Sequence, residues 1–269
     1  MNIMSGMPLS RGEQRREAIM RLLKEKGRIS VHDIVETQRC SVATARRDLD
    51  LLEQTEPIIR TIGGAIYDGF NASREISFHE KTSISWIEKE RIAEKAASLV
   101  REGDIIGLSG GTTTYLIARA LKRRSGITVV TNAVNIAMEL AGNDGIQVVV
   151  AGGIMRHKSY ELCGPLTEKV VESLNIGKMF LGIDGLSVAH GLTTYSEGEA
   201  QIAKILIKRS NKTFVVFDRS KVGRVSLFSI APLSAAHAFI TDAPLDRELQ
   251  AECDKWNVHV YVADREEHK

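Results

Sequence analysis

Apolar residues between positions 10 and about 67 recur with a helical period, punctuated by capping residues. Ser10-Arg11-Gly12-Glu13 has capping-box spacing, in which the hydroxyl and the carboxylate each hold an otherwise orphaned backbone N–H. Ile19, Leu22 and Leu23 then form a stripe, and Gly27 closes this first helix. Ser30-Val31-His32-Asp33 repeats the cap ahead of Ile34 and Val35. Ser41 caps a third helix on which Val42, Ala45, Leu49 and Leu52 share one face, and Pro57 ends it. Leu51 falls on the outward face of that helix. Residues Ile58 to Ile66, with glycines at 63 and 64, read as a short hairpin.

From Glu88 the pattern changes. Short β-rich runs (Ile105–Leu108, Ile127–Thr131, Gln147–Ala151, Met179–Ile183, Thr213–Phe217, Ala238–Thr241, Val258–Val262) alternate with helix-length segments. The latter are Thr113–Arg123, Val134–Leu140, Leu166–Leu174, Glu199–Arg209 and Leu245–Trp256. Alternation of this kind predicts an α/β fold: a parallel sheet with helices on both faces. The chain therefore divides into a small helical domain with a hairpin (1–67), a connector without clear period (68–87) and a larger α/β domain (88–269).

Composition narrows the function classes. The 269 residues are 43% hydrophobic and 26% charged with a net charge of +2, an ordinary balance for a globular protein. No apolar run approaches the ~18 residues that span a bilayer, and Met1 to Ser10 lack the features of a secretory signal. Three scattered cysteines (Cys40, Cys163, Cys253) suit a reducing cytoplasm and form neither a disulfide framework nor a zinc site. The seven histidines show no metal-binding spacing, and no cofactor motif is present.

The third helix carries the first candidate chemistry. Opposite its apolar stripe lie Ala43, Thr44 and Arg47, with Arg46 on a flank. The first turn of a recognition helix, here beginning at Ser41, is the part that reaches base edges in the major groove. A guanidinium there makes two hydrogen bonds to a guanine, worth roughly 1–3 kcal/mol of discrimination. Arg39, Arg46 and Arg60 are placed for phosphates, which hold register without reading sequence. Two arginines alone are an ordinary solvated pair; three capped helices, a short turn and a following hairpin make a DNA-binding unit the better reading.

The second candidate is the loop Ser109-Gly110-Gly111-Thr112-Thr113-Thr114, which follows an apolar strand and opens a helix. Glycines admit a ligand close to the backbone, a helix N-terminus presents free N–H groups, and hydroxyls add donors, together a phosphate cradle. It is neither a Walker loop nor a dinucleotide fingerprint. Other strand ends supply Thr131-Asn132, Gly152-Gly153 and Asp184-Gly185, and farther on come Glu197 and Lys221. Carboxylates suit sugar hydroxyls, and a lysine suits a phosphate as a compact charge. Sheets of this class carry ligands outside the carboxyl ends of their strands.

Ser41-Val42-Ala43-Thr44-Ala45-Arg46-Arg47-Asp48-Leu49, followed by Arg60-Thr61-Ile62-Gly63-Gly64-Ala65, resembles the winged helix-turn-helix of the DeoR family of sugar-metabolism repressors, whose pattern S-x-x-T-x-R-R-D-L is matched at every fixed position. The turn before the wing departs: Glu53-Gln54-Thr55-Glu56-Pro57 stands where members carry a glycine-containing E-x-x-G-x-h. The resemblance makes Asp48 a structural residue, pairing with a nearby arginine or capping, and not a base reader. It extends over most of residues 88–262, through Gly111-Thr112-Thr113, Thr131-Asn132, Gly152-Gly153, Gly182-Ile183-Asp184-Gly185, Glu197 with Glu199-Ala200, Asp218-Arg219-Ser220-Lys221 and Thr241-Asp242. It implies an effector domain similar in fold to ribose-5-phosphate isomerase A-type enzymes, a phosphorylated-sugar effector, operator DNA as partner and a homo-oligomer, dimer or tetramer. Many members carry an acidic residue where this chain has Ser109, a change expected to weaken hydrogen bonding to a sugar hydroxyl or to change which sugar fits.

Two other readings compete. An aldose–ketose isomerase with an accessory DNA-binding arm would use Asp184, Glu197 and Lys221 near a sugar carbonyl. A general nucleoid-binding protein would need many basic contacts, which the even charge balance does not supply.

Overall fold

A computed structural model describes residues 10–56, 58–67 and 75–263; the expected ending at Pro57 and the first part of the connector, 68–74, lie outside them. The chain forms two compact units, divided after residue 71.

The smaller unit orders α1 (Arg11–Lys26), β1 (Arg28–Ser30), α2 (Val31–Gln38), α3 (Val42–Thr55), β2 (Ile58–Thr61) and β3 (Gly64–Tyr67). Both capping boxes form, at Ser10 with Glu13 and at Ser30 with Asp33, and Gly27 ends α1 in the left-handed region. Ile19, Leu23, Ile34, Ala45, Leu49, Leu52, Ile58 and Ala65 make one core. Val42 is the exception to the expected stripe: it opens α3 and is 48% exposed, ahead of the layer that Ala45, Leu49 and Leu52 fill. Leu51 is exposed, as its outward position on the helix implies. The hairpin β2–β3 gains a third strand, because β1 pairs antiparallel with β3 and sets Ile29 opposite Ala65. Three residues are too few for a legible strand period, so β1 was not foreseen.

The larger unit begins earlier than the pattern change at Glu88 implies. Residues 75–87, read as connector, contain α4 (Phe78–Thr82) and the start of α5 (Trp86–Ser98). There follow β4 (Ile105–Leu108), α6 (Thr112–Leu121), β5 (Ile127–Thr131), α7 (Val134–Leu140) and β6 (Ile146–Val150). Next come β7 (Ile154–Met155), β8 (Leu162–Cys163), α8 (Pro165–Glu172), β9 (Ile176–Gly182), β10 (Gly185–Ser187) and β11 (Gly191–Thr194). The unit ends with α9 (Glu197–Lys208), β12 (Ser210–Val216), β13 (Phe228–Ala231), β14 (Ala238–Thr241), α10 (Arg247–Lys255) and β15 (His259–Val262).

Seven strands form a parallel sheet in the order β15-β14-β12-β9-β4-β5-β6. Its strands alternate between two buried faces: on β9, Met179 and Leu181 enter one core, while Phe180 enters the other. One core takes Ile92, Leu116, Ile117 and Ile136 from α5, α6 and α7; the other takes Val171, Ile202, Leu206 and Leu249 from α8, α9 and α10. Beside this sheet stand two small antiparallel ones, β10-β11-β13 and β7-β8. Strand order reverses between β4 and β9, whose successors β5 and β12 lie on opposite sides, so a crevice opens at their carboxyl ends.

Candidate functional site

The crevice at that reversal is a cavity with about 640 Å³ of empty space, counting its open mouth. The loop after β4 contributes Gly110, Gly111, Thr112 and Thr113, the end of β9 contributes Asp184, and Lys221 follows β12. Gly111 adopts φ +126 as the N-cap of α6 and provides no side-chain cap, so the first-turn N–H groups of α6 lack a side-chain acceptor. The hydroxyls of Thr112 and Thr113 and the ammonium of Lys221 hold no hydrogen bond or ion pair among the described residues, although all three line the cavity. Burial lowers the pKa of Lys221; Asp218 opposes that shift and Lys81 adds to it. Gly110 is required by a neighbour, since a Cβ there would stand 2.1 Å from Glu161 Cγ.

Asp184 is fully engaged. Its Oδ1 accepts from Lys81 Nζ at 2.5 Å, and its Oδ2 accepts from Thr194 Oγ1 at 3.0 Å and from the Tyr195 N–H at 3.2 Å. Burial alone would raise its pKa, but Lys81 and then Lys221 outweigh burial and hold it well below the usual carboxylate range. Glu199 accepts from Thr194 Oγ1 at 3.2 Å and from Arg156 Nε at 3.0 Å. Glu161, whose Oε2 accepts from Asn132 Nδ2 at 2.9 Å, is pushed up to about 8 by burial and then by the charge of Glu199. Lys89 is 2% exposed and donates to the carbonyls of Lys81 and Ile84; burial pulls it down to about 7.

Several expected ligand residues do other work. Ser109 Oγ accepts from the Gly182 N–H at 2.9 Å and donates to the Gly110 carbonyl, joining the ends of β4 and β9 instead of lining this cavity. Thr114 Oγ1 donates to Gly111 O, and Thr131 Oγ1 donates to Leu108 O. Asn132 orients Glu161 from behind. Gly152 accepts from Thr167 Oγ1, Gly153 packs against the same side chain, and Gly185 packs beside Thr193 and Arg224. None of these residues lines the cavity. Glu197 is exposed at the start of α9, and Glu199, two positions on, takes the inward place. The spacing Ser196-Glu197-Gly198-Glu199 carried that signal, since Ser196 caps α9 and accepts from the Glu199 N–H. Glu75, Lys81, Lys89 and Glu161 line the cavity with no motif to announce them.

On the smaller unit, α2, a turn containing left-handed Arg39, and α3 form a helix-turn-helix. Ser41 Oγ accepts from the Thr44 N–H at 3.1 Å and shares a hydrogen bond with Thr44 Oγ1, so both hydroxyls belong to the cap. Ala43, Arg46 and Arg47 are exposed, and neither arginine forms an ion pair among the described residues. Asp48 is buried and binds Arg15, with Arg15 Nη2 at 3.2 Å and Arg16 Nη1 at 3.5 Å from its Oδ1. Arg60 differs from expectation: its Nε donates to Asp50 Oδ1 at 3.1 Å and its Nη1 to Gly64 O at 2.7 Å, so it braces the wing against α3.

Residues 15–69 match the DeoR-like helix-turn-helix domain, and residues 85–243 match the DeoR C terminal sensor domain. The chain belongs to the DeoR family. It is 35% identical over 242 residues to the lactose phosphotransferase system repressor of Streptococcus mutans, covering 89% of this chain and 96% of that one. It is 34% identical to the transcriptional regulator GlpR of Haloferax volcanii, covering 92% and 96%. It is 31% identical to the glycerol-3-phosphate regulon repressor of Escherichia coli, covering 86% and 91%. Among solved structures it is similar to ribose 5-phosphate isomerase A of Methanocaldococcus jannaschii, at TM-score 0.39 and 21% identity over 51% of this chain and 55% of that one. As a DeoR-family member the protein is a DNA-binding transcriptional regulator, and none of its described helices is long and apolar enough to cross a membrane.

Proposed function

We propose that this DeoR-family regulator represses a sugar-metabolism operon and leaves its operator when a phosphorylated sugar enters the cavity of the larger unit. The observation that carries the reading is that an unpartnered Lys221 ammonium and the uncapped first turn of α6 line the same cavity. Helix N-termini and a point cation together favour a dianion. The carboxylates of Asp184 and Glu199, with Thr194 between them, suit the hydroxyls of the sugar end.

A binding role is favoured over isomerisation. A carboxylate held far below neutrality by Lys81 is a poor proton acceptor, and Glu161 is protonated near pH 7, which makes it a donor and not a base. In the smaller unit, Arg47 and Ala43 read bases while Arg39 and Arg46 take phosphates. A cytoplasmic homodimer or tetramer would space two recognition helices by one turn of DNA, ~34–36 Å. The sugar shifts the equilibrium by its differential affinity for the releasing state, with coupling of ~1–3 kcal/mol.

The test is a panel of pentose, hexose and triose phosphates titrated against the protein bound to a duplex that it selects from a random pool. Support is a clear loss of duplex affinity with one or a few members. If no member changes that affinity, the sensing role falls.

A further inference from the structure

Glu75 to Thr82 is the first described segment of the larger unit, so any pull on the helix-turn-helix passes along the chain through it. Several contacts hold it, among them the Phe78 ring against Tyr115 and Tyr160 and Lys158 Nζ at 3.9 Å from Glu75 Oε2. Glu75 Oε1 accepts from Arg156 Nη2 at 2.7 Å, the Phe78 N–H donates to Lys158 O at 2.6 Å, and Lys81 Nζ meets Asp184. Glu75 at the start of this segment and Lys81 near its end line the cavity. Arg156 stands behind the wall: it does not line the cavity, yet its Nε donates to Glu199, which does.

We propose that Arg156 relays occupancy of the cavity to the joining segment, by tying Glu199, which meets the ligand, to Glu75, which begins that segment. The inference rests on the cavity being the effector site. A single guanidinium shared by two largely buried carboxylates is a poor device for stability, because the desolvation of three charged groups offsets most of the attraction. It is a good device for switching. A ligand hydroxyl donated to Glu199 turns that carboxylate away from Nε, the guanidinium reorients with it, and the bond to Glu75 is lost. Interfaces built from such discrete pairs change state abruptly.

The experiment uses the full chain and the selected duplex, without sugar. In Glu75→Gln and Arg156→Gln, amide hydrogen exchange across residues 75–82 should rise, and duplex affinity should fall about fivefold or more, the lower range of coupling between linked sites. Arg156→Lys should recover part of both. A purely structural role would lower the melting temperature and leave duplex affinity at the wild-type value, which overturns the relay. If Arg156→Gln loses its cooperative melt, Glu75→Gln, the milder change, decides. Exchange at residues 109–116 of the wild type with inorganic phosphate is read separately: no protection there refutes the anion cradle and leaves the Arg156 result standing.

Discussion

Lys81 Nζ and Asp184 Oδ1 lie 2.5 Å apart although 103 positions separate the two residues in sequence. The carboxylate at the end of β9 is thereby matched with a cation from a segment that reads as a connector.

Asp184→Ala should leave Lys81 buried beside Lys221 without the counter-charge it is hydrogen-bonded to. Sugar-phosphate affinity should fall roughly 10–100-fold, corresponding to the 1.5–3 kcal/mol of a hydrogen bond to a charged group. Duplex binding in the absence of sugar should persist, because the Arg156–Glu75 tie that the relay uses is left in place. Titration calorimetry and a duplex-binding assay on the same preparation check both halves.

Lys221→Met keeps the stem and removes the charge. Affinity for a phosphorylated sugar should drop at least tenfold, while the weak affinity for the unphosphorylated sugar should hardly move. Equal losses for both ligands would place the ammonium on the sugar end instead of the phosphate.

Arg47→Ala removes an exposed guanidinium from the face of α3 that carries no packing. Specific duplex affinity should fall by about 1–3 kcal/mol and non-specific affinity much less. Equal losses on selected and random duplexes would assign Arg47 to phosphates.

Asp48→Ala deprives Arg15 and Arg16 of their common acceptor beneath the recognition helix. Both arginines keep some access to water, so the cost should be about 1–3 kcal/mol. Chemical denaturation followed through the helical signal of the smaller unit measures it.

Glu161 gives the larger unit a pH dependence. Its folded pKa is pushed up to about 8 from an ordinary 4.5, so the unfolded chain releases this proton at lower pH than the folded one. The contribution to stability is fully present below pH 4.5 and is lost as pH rises through 8. Glu161→Gln removes the titration. Wild type should therefore weaken relative to this variant in urea melts taken at rising pH across that window, and parallel curves would refute the assignment.

The division of labour between sequence and fold is visible in particular residues. Caps are local, made within four residues of chain, so Ser10, Ser30 and Ser41 declared the three helices of the smaller unit by themselves. The short β-rich runs are equally local, and the strands Ile105–Leu108, Ile127–Thr131 and Ala238–Thr241 have the bounds that those runs imply. The glycine-threonine loop after β4 was legible because a strand, two glycines and a helix start follow one another along the chain.

What the chain order could not display is which distant groups share a crevice. Only the reversal of strand order between β4 and β9 sets Gly111, Asp184 and Lys221 around one cavity while leaving Gly152, at the far edge, outside it. Only tertiary packing adds Glu161 and draws Lys81 in from a supposed connector. Local periodicity fixes which face of an element is apolar. The placement of a charge depends on long-range pairing, because a buried ion is tolerated only where a distant partner of opposite sign arrives to meet it.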